Sequence, residues 1–144
     1  MRAFLDSSAL AKLYLHEPGR ALVEARLAEA QELILSVLAL PEVISALTRL
    51  RRSGDIDDEE YLAQKQRVTA DAADAAIVGV TPVVVRRAVE CLERAPLRAS
   101  DAVHVASAIE AEADAFVSAD QRQCNAAREM GLRVVAVPPA RRRR

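Results

Sequence analysis

The sequence predicts an α/β domain of three layers, in which helices cover both faces of a central, mostly parallel five-stranded sheet. Short apolar or β-branched segments alternate with longer helical segments, an order typical of βαβ crossovers and parallel sheets. The 144 residues are 51% hydrophobic and 28% charged, a composition that allows a buried core, and the length fits one domain. We assign residues 1–137 to this domain and expect residues 138–144, rich in Pro and Arg, to form a mobile tail.

In the first half of the chain, turn and capping residues separate the predicted elements. Pro18 and Gly19 break the helical pattern, and Pro41 lies in a first helical turn, where its missing N–H costs nothing. Residues 53–54 (Ser-Gly) end that helix. Acids at residues 57–60 suit the first turn of the next helix because they face the positive end of its dipole. The predicted strands are residues 2–5 and 33–35, and the predicted helices are residues 7–14, 20–30, 40–52 and 57–74.

The second half continues the alternation of strands and helices. Residues 81–82 (Thr-Pro) begin one helix, Ser100 or Asp101 begins the next, and Gly131 stops the last one. Aromatic residues make up only 3% of the chain, so we expect a core of Ala, Val, Leu and Ile. The predicted strands are residues 77–80, 115–118 and 132–137, and the predicted helices are residues 82–94, 100–112 and 121–130.

Charge, hydropathy and cysteine content exclude several classes of protein. No apolar run reaches the ~18–20 residues of a membrane span, and an acid at position 6 interrupts any signal-peptide core, so we expect a soluble cytoplasmic protein. Cys91 and Cys124 lack metal-site spacing, which favours two buried free thiols. Without Arg141–Arg144, 16 basic residues face 21 acidic ones. A nucleic-acid binder usually has a basic face, so bound divalent metal would have to offset this acidity.

Four acids occupy positions from which they can reach one cleft. Asp6 follows the first strand, Asp120 follows the fourth, and Glu42 and Asp101 lie in first helical turns. In parallel α/β sheets, ligands bind at the carboxyl ends of the strands, where helices also begin. Crowded carboxylates raise one another's pKa values or hold cations, and oxygen ligands without His or Cys suit Mg²⁺ or Mn²⁺. The sequence therefore predicts an acidic site at this edge.

Each acid also has a purely structural interpretation. Acids are common in first helical turns, and Asp101 could serve only as a helix N-cap. Against this, Asp6 and Asp101 lie in apolar or small-residue segments, and Glu42 is the only charge between Glu32 and Arg49. An acid in buried sequence needs a partner, which favours a shared site.

The segments that contain these acids resemble the four acidic motifs of the PIN-domain family, and the chain resembles its VapC-type ribonuclease toxins. The motifs are residues 5–10 (LDSSAL), 41–43 (PEV), 99–108 (ASDAVHVASA) and 117–120 (VSAD). They match in order and spacing, and the similarity covers essentially residues 1–137. One motif alone is weak, whereas four in sequence are specific.

The resemblance implies a Mg²⁺- or Mn²⁺-dependent RNA endonuclease that is dimeric and inhibited by a small antitoxin protein, with a heterotetramer or larger complex as a further possibility. It also implies that four acids bind the metal and act in catalysis, and that two hydroxyl residues support them. The acids are Asp6, Glu42, Asp101 and Asp120, and the hydroxyl residues are Ser8 and Ser118.

Several other residues have weaker assignments. Lys12, Arg98 and Arg122 flank the acidic motifs and could contact phosphate, although a solvated surface charge is the favoured interpretation for each alone. His104 lies one turn after Asp101, and we favour a packed or interface histidine over a catalytic base. The terminal arginines could bind RNA or only aid solubility.

Other functions remain open at this point. A phosphotransfer domain with an aspartyl intermediate would want a second acid shortly after Asp6, where Ser7 and Ser8 stand. A PIN-fold nuclease for RNA processing, outside a toxin–antitoxin pair, and an inactive PIN-fold binding domain are the remaining alternatives. Residues 40–52 and 61–76 carry more apolar positions than one stripe needs, so we expect them to form interfaces.

Overall fold

A computed structural model of the chain describes residues 1–141, which form five strands and seven helices. The segment 142–144, which includes most of the arginine tail, lies outside the described residues. The strands are β1 (Arg2–Leu5), β2 (Glu32–Ser36), β3 (Ala76–Val78), β4 (Ala115–Ser118) and β5 (Val134–Ala136). The helices are α1 (Ser7–Leu10), α2 (Arg20–Glu29), α3 (Ala39–Arg52), α4 (Asp58–Asp74), α5 (Pro82–Arg94), α6 (Ala99–Glu110) and α7 (Gln121–Glu129).

The five strands form one sheet in the order β3-β2-β1-β4-β5, and all four pairings are parallel. Leu5 of β1 pairs with Val117 of β4 at the centre of the sheet. Because both strands end at the same edge, Asp6 and the residues after Ser118 emerge side by side. The sheet thereby brings two of the four candidate acids together from positions more than a hundred residues apart.

Both faces of the sheet are covered by helices, as the alternation of side chains along β1 requires. Leu5 packs into a core formed with α1–α4, whereas Phe4 packs into a second core with residues of α5 and α6. There the rings of Phe4 and Phe116 stack with their centroids 5.6 Å apart. The predicted three-layer α/β fold is confirmed, as are the two buried free thiols, Cys91 and Cys124.

Several predicted boundaries are wrong, for reasons visible in the backbone. The first helix is a single α turn followed by a 3₁₀ turn over Ala11–Leu13, rather than one helix to residue 14. Strand β3 stops at Val78 and not at residue 80, because its partner β2 ends opposite, at Ser36. Helix α6 ends at Glu110, and the left-handed backbone of Glu112, with φ 52°, prevents its continuation.

The exposed apolar surface also differs from the prediction. Among the described residues, large exposed apolar side chains are absent from 40–52. Within 61–76, Leu62 is the only one that the structure describes. The helices at 40–52 and 61–74 instead pack their apolar stripes onto the sheet and onto each other. The exposed apolar residues concentrate on α5, where they are Val83, Val85, Val89 and Leu92.

Two further features concern the ends of the chain and the membrane. Within the described part, helices that are both long enough and apolar enough to cross a bilayer are absent. After β5 the chain packs back onto the start of α2, where Pro138 lies so close to Gly19 that a Cβ there would come within 3.0 Å of its ring. Gly19 also has a φ of 97°, a left-handed conformation that glycine adopts readily. Both the close contact with Pro138 and this backbone conformation therefore favour glycine at position 19.

Candidate active site

The four candidate acids lie at one edge of the sheet, around an open cleft of about 610 Å³. Glu42, Asp101 and Asp120 line the cleft together with Ser8, and the buried Asp6 is hydrogen-bonded to Ser8. Each acid comes from a different segment: Asp6 follows β1, Asp120 follows β4, and the other two lie in the first turns of α3 and α6. The structure thus brings together all four residues that the sequence singled out.

Asp6 is fully buried and held by three donors. The hydroxyl of Ser8 (2.7 Å) and the backbone N–H of Ala9 (2.9 Å) donate to Oδ1, and the hydroxyl of Ser118 donates to Oδ2 at 2.5 Å. Burial raises the pKa of the Asp6 carboxyl, and these hydrogen bonds oppose that rise without cancelling it. Both predicted hydroxyl residues therefore contact this one carboxylate.

Asp120 and Asp101 form an acidic pair in the cleft lining, joined through Gln123. Asp120 is the N-cap of α7, and its Oδ1 accepts from the backbone N–H groups of Arg122 (2.8 Å) and Gln123 (3.3 Å). Burial raises the pKa of Asp101, and the negative charge of Asp120 raises it further. Arg98, not Asp101, occupies the N-cap position of α6, so the interpretation of Asp101 as a helix cap is wrong.

Glu42 is held by a buried histidine. Nε2 of His104 lies 2.6 Å from Oε1 of Glu42, and the hydroxyl of Ser7 donates to the same oxygen at 3.1 Å. Burial by itself raises the pKa of Glu42, but the hydrogen bonds and charge of these neighbours outweigh it, so the net pKa is lowered. His104 is 1% exposed and packs edge-on against Phe4. It is a packed histidine, as predicted, but one that also contacts a candidate metal ligand.

Basic side chains form part of the same cleft wall. Lys12 is 1% exposed, and its Nζ lies 2.9 Å from Glu17 Oε2. Its interpretation as a solvated surface charge is wrong, because the 3₁₀ turn after α1 directs it into the wall. Arg98 and Arg49 are exposed residues that line the cleft. Arg122 is exposed, and it contacts Asp120 through its backbone N–H.

The acids match a divalent cation in donor type and in charge. All four are carboxylates, and the mutual repulsion of Asp101 and Asp120 is the kind that a cation relieves. Within residues 1–141, however, groups of three or more His, Cys, Asp or Glu side chains that could enclose a metal ion are absent. Each acid instead directs at least one oxygen to a protein donor. The residues therefore fit an open site at which water completes the coordination of an ion such as Mg²⁺.

Sequence reasoning missed three residues at this site: Ser7, Arg49 and Gln123. Residues 120–123 (DQRQ) have the spacing of a capping box, in which the fourth residue returns to the N-cap backbone. In the structure, Asp120 caps as that motif requires, but the Gln123 amide donates to Asp101 Oδ1 at 3.1 Å. The motif could have drawn attention to Gln123, although not to its actual partner.

Comparison with known proteins places the chain in a family. A family model described as PIN domain matches residues 3–129. Ribonuclease VapC45 of Mycobacterium tuberculosis (strain CDC 1551 / Oshkosh) is 34% identical over 134 residues, which are 91% of this chain and 92% of the relative.

Solved structures share the fold. VapC20 of Mycobacterium tuberculosis, a toxin that cleaves the sarcin–ricin loop, has a TM-score of 0.65 at 20% identity, covering 95% of this chain and 99% of that one. A toxin–antitoxin complex from Klebsiella pneumoniae has a TM-score of 0.64 at 17% identity, covering 84% and 88%. The family model and the 34% identity confirm the resemblance seen in the motifs: the chain belongs to the PIN-domain family, among the VapC-type ribonucleases.

Proposed function

We propose that this protein is a toxin that hydrolyses RNA phosphodiester bonds with the help of Mg²⁺ or Mn²⁺ and is silenced by a small antitoxin. The observation that carries the proposal is the convergence of four carboxylates from four segments on one cleft. The ribonuclease name of its relative supports RNA as the substrate.

The surroundings of each carboxylate suggest a different role in metal binding and catalysis. Asp6, Glu42, Asp101 and Asp120 would hold the cation, which when bound neutralises charge, polarises the phosphodiester and lowers the pKa of an attacking water. Asp101 has a raised pKa and an Oδ2 without a hydrogen-bond partner among residues 1–141. This oxygen is available to the cation, or to accept the proton of the attacking water. Glu42, with its lowered pKa, stays ionised and serves as an anchor.

Basic side chains on the cleft wall position the substrate. Arg98 and Arg49 are exposed at the cleft and have no salt-bridge partner within the described chain. A guanidinium matches a phosphate with two parallel hydrogen bonds, so these two groups are suited to bind phosphates of the substrate. Lys12 is already paired with Glu17, and it adds positive charge near the substrate only when that pair opens.

Association with protein partners completes the proposal. A toxin–antitoxin complex shares this fold, which supports an antitoxin as the partner. We expect this antitoxin to insert a basic side chain among the carboxylates and so to replace the cation. A homodimer would cover apolar residues of α5, which include Val85 and Val89. Two toxins with two antitoxins, or a larger multiple, would follow from such a dimer.

The test is cleavage of structured RNA by the purified chain. We expect cleavage in Mg²⁺ or Mn²⁺, none in chelator, and none by Asp101→Asn in any condition. Asp58→Asn is the matched control, because Asp58 is an exposed acid in the first turn of α4 and its loss should leave the rate unchanged. Cleavage by Asp101→Asn in chelator contradicts the metal mechanism. A wild-type chain that binds RNA but never cuts it indicates a binding domain instead.

A further inference from the structure

The side chain of Gln123 is buried beside Asp101, and only its amide NH₂, not its carbonyl, has a hydrogen-bond partner within the described residues. The residue is 4% exposed. Its Nε2 donates to Asp101 Oδ1 at 3.1 Å, and its backbone N–H donates to Asp120 Oδ1 at 3.3 Å. Its Oε1 is buried and has no hydrogen-bond partner within the described residues. One residue of α7 thus contacts both carboxylates, although Asp101 belongs to α6.

Chemistry fixes the orientation of this amide. A carboxylate only accepts hydrogen bonds, so the opposite orientation would press the Gln123 carbonyl against Asp101. The carbonyl must then point into the interior, where it lacks a partner. An orphaned buried carbonyl lowers stability, and an apolar side chain of the same length would avoid that cost. Stabilisation of the fold therefore does not explain the presence of an amide at position 123.

What the amide does act on is the geometry of the acid pair. Asp101 and Asp120 line the same cleft and both bond to Gln123, so their like charges repel each other when both are ionised. A hydrogen bond from Nε2 favours the charged form of Asp101 and ties its Oδ1 to α7, which leaves Oδ2 for a ligand. The backbone N–H holds Asp120 through the same residue. The two carboxylates are thereby kept at a set spacing before any cation arrives.

We propose that Gln123 is a positioning residue that preorganises Asp101 and Asp120 for a divalent cation, at a cost in stability of the metal-free protein. This inference rests on the proposed function, since it assumes that the cleft binds such an ion. It predicts effects of opposite sign: removal of the amide weakens metal binding and leaves the metal-free fold as stable as before, or more so. A residue with a merely structural role would lower stability when replaced.

The test is Mn²⁺ binding by the full chain, measured by titration calorimetry and by the electron paramagnetic resonance signal of free Mn²⁺. Outer partners of metal ligands typically contribute about 10–100-fold in affinity, so Gln123→Met should raise the Kd for Mn²⁺ by about that factor. Its Tm in chelator should equal or exceed that of the wild type. Gln121→Met is the matched control, because Gln121 lies on the exposed face of the same helix and contacts Asn125; it should bind Mn²⁺ normally.

A second variant, Gln123→Leu, guards against a local packing defect peculiar to Met. If wild type and both Gln123 variants bind Mn²⁺ equally well, the positioning role is refuted while the proposed function stands. If the metal-free variants lose stability in step with affinity, Gln123 is a structural residue and the inference is again refuted. A wild-type chain that binds no Mn²⁺ overturns the metal mechanism, and this inference with it.

Discussion

Replacement of the buried Asp6 carboxylate should abolish activity and at the same time stabilise the metal-free protein. Asn has nearly the shape of Asp, and its Oδ1 can still accept from Ser8 and Ala9. Its Nδ2 can donate to the hydroxyl of Ser118, which rotates to accept. The substitution Asp6→Asn therefore keeps the hydrogen bonds and removes only a charge that the fold has taken out of water.

The sign of the effect follows from linkage between protonation and folding. Burial raises the pKa of Asp6 in the folded protein above its ordinary 3.8. A raised carboxyl pKa contributes stability that is fully present below the unfolded value and is lost as pH rises through the folded value. At neutral pH the wild type therefore bears the full penalty of the charge, and Asp6→Asn does not. The advantage of the variant should shrink as the pH falls toward about 4.

The size of the effect depends on how far the three donors compensate for burial of the charge. An unpaired buried ion costs several kcal/mol, and the hydrogen bonds from Ser8, Ala9 and Ser118 offset most of that penalty. We expect a gain on the order of 1 kcal/mol in the free energy of unfolding at pH 7.5, or about 2–4 °C in Tm for a domain of this size. Saturating Mn²⁺ should reverse the order, since a cation at 100 times its Kd stabilises the wild type by about 2.7 kcal/mol.

The assay is urea unfolding in chelator at several pH values, followed by circular dichroism, and then repeated with Mn²⁺. Asp57→Asn is the matched control, because Asp57 also caps a helix through the N–H three residues later but is exposed. Asn and Asp cap equally well, so that variant should keep wild-type stability. If Asp6→Asn is less stable than the wild type in chelator at pH 7.5, the three donors overcompensate for burial and the reasoning is wrong.

Three further substitutions test other contacts of the site. Ser118→Ala removes the 2.5 Å hydrogen bond to Asp6, so it should lower the free energy of unfolding at neutral pH by about 1–3 kcal/mol, as measured by urea titration. His104→Leu removes the group that lowers the pKa of Glu42, so the pKa of the Glu42 carboxyl, followed by NMR in chelator, should rise; an unchanged pKa contradicts His104 as the cause. Arg98→Gln should reduce the slope of log K for RNA binding against log salt by about 1. If the tail binds RNA, removal of Arg141–Arg144 should also reduce this salt-dependence slope. An unchanged slope would contradict RNA binding by the tail.

The fold was predictable because local signals and the long-range topology agree. The apolar run after Arg2 and the run at 115–118 are short and strand-like, and parallel pairing then fixes where Asp6 and Asp120 emerge. Errors arose where tertiary partners decide the outcome. Strand β3 stops where its neighbour stops, which nothing in the local sequence of β3 reveals.

The acids of the candidate site were predictable for the same reason, whereas their partners were not. Position after a strand or in a first turn places an acid at the cleft without knowledge of the neighbouring helix. The contact of Gln123 with Asp101 depends on how α7 is rotated against α6, and that of His104 with Glu42 joins residues 62 positions apart. The burial of Lys12 depends on the 3₁₀ turn over Ala11–Leu13, and the local sequence there would suit an ordinary α-helix equally well.

The fold gives its acids different surroundings, and we propose that this difference sets their roles. Glu42 has a cationic or hydrogen-bonding neighbour in His104 that lowers its pKa, whereas Asp101 has a carboxylate neighbour that adds to the rise in pKa caused by burial. The same contact that raises the pKa of Asp101 also makes a cation favourable there, because a bound positive charge relieves its repulsion with Asp120. Cation binding at this pair would thus depend on the spacing of Asp101 and Asp120, and Gln123 contacts both of them, Asp101 through its side-chain amide and Asp120 through its backbone N–H.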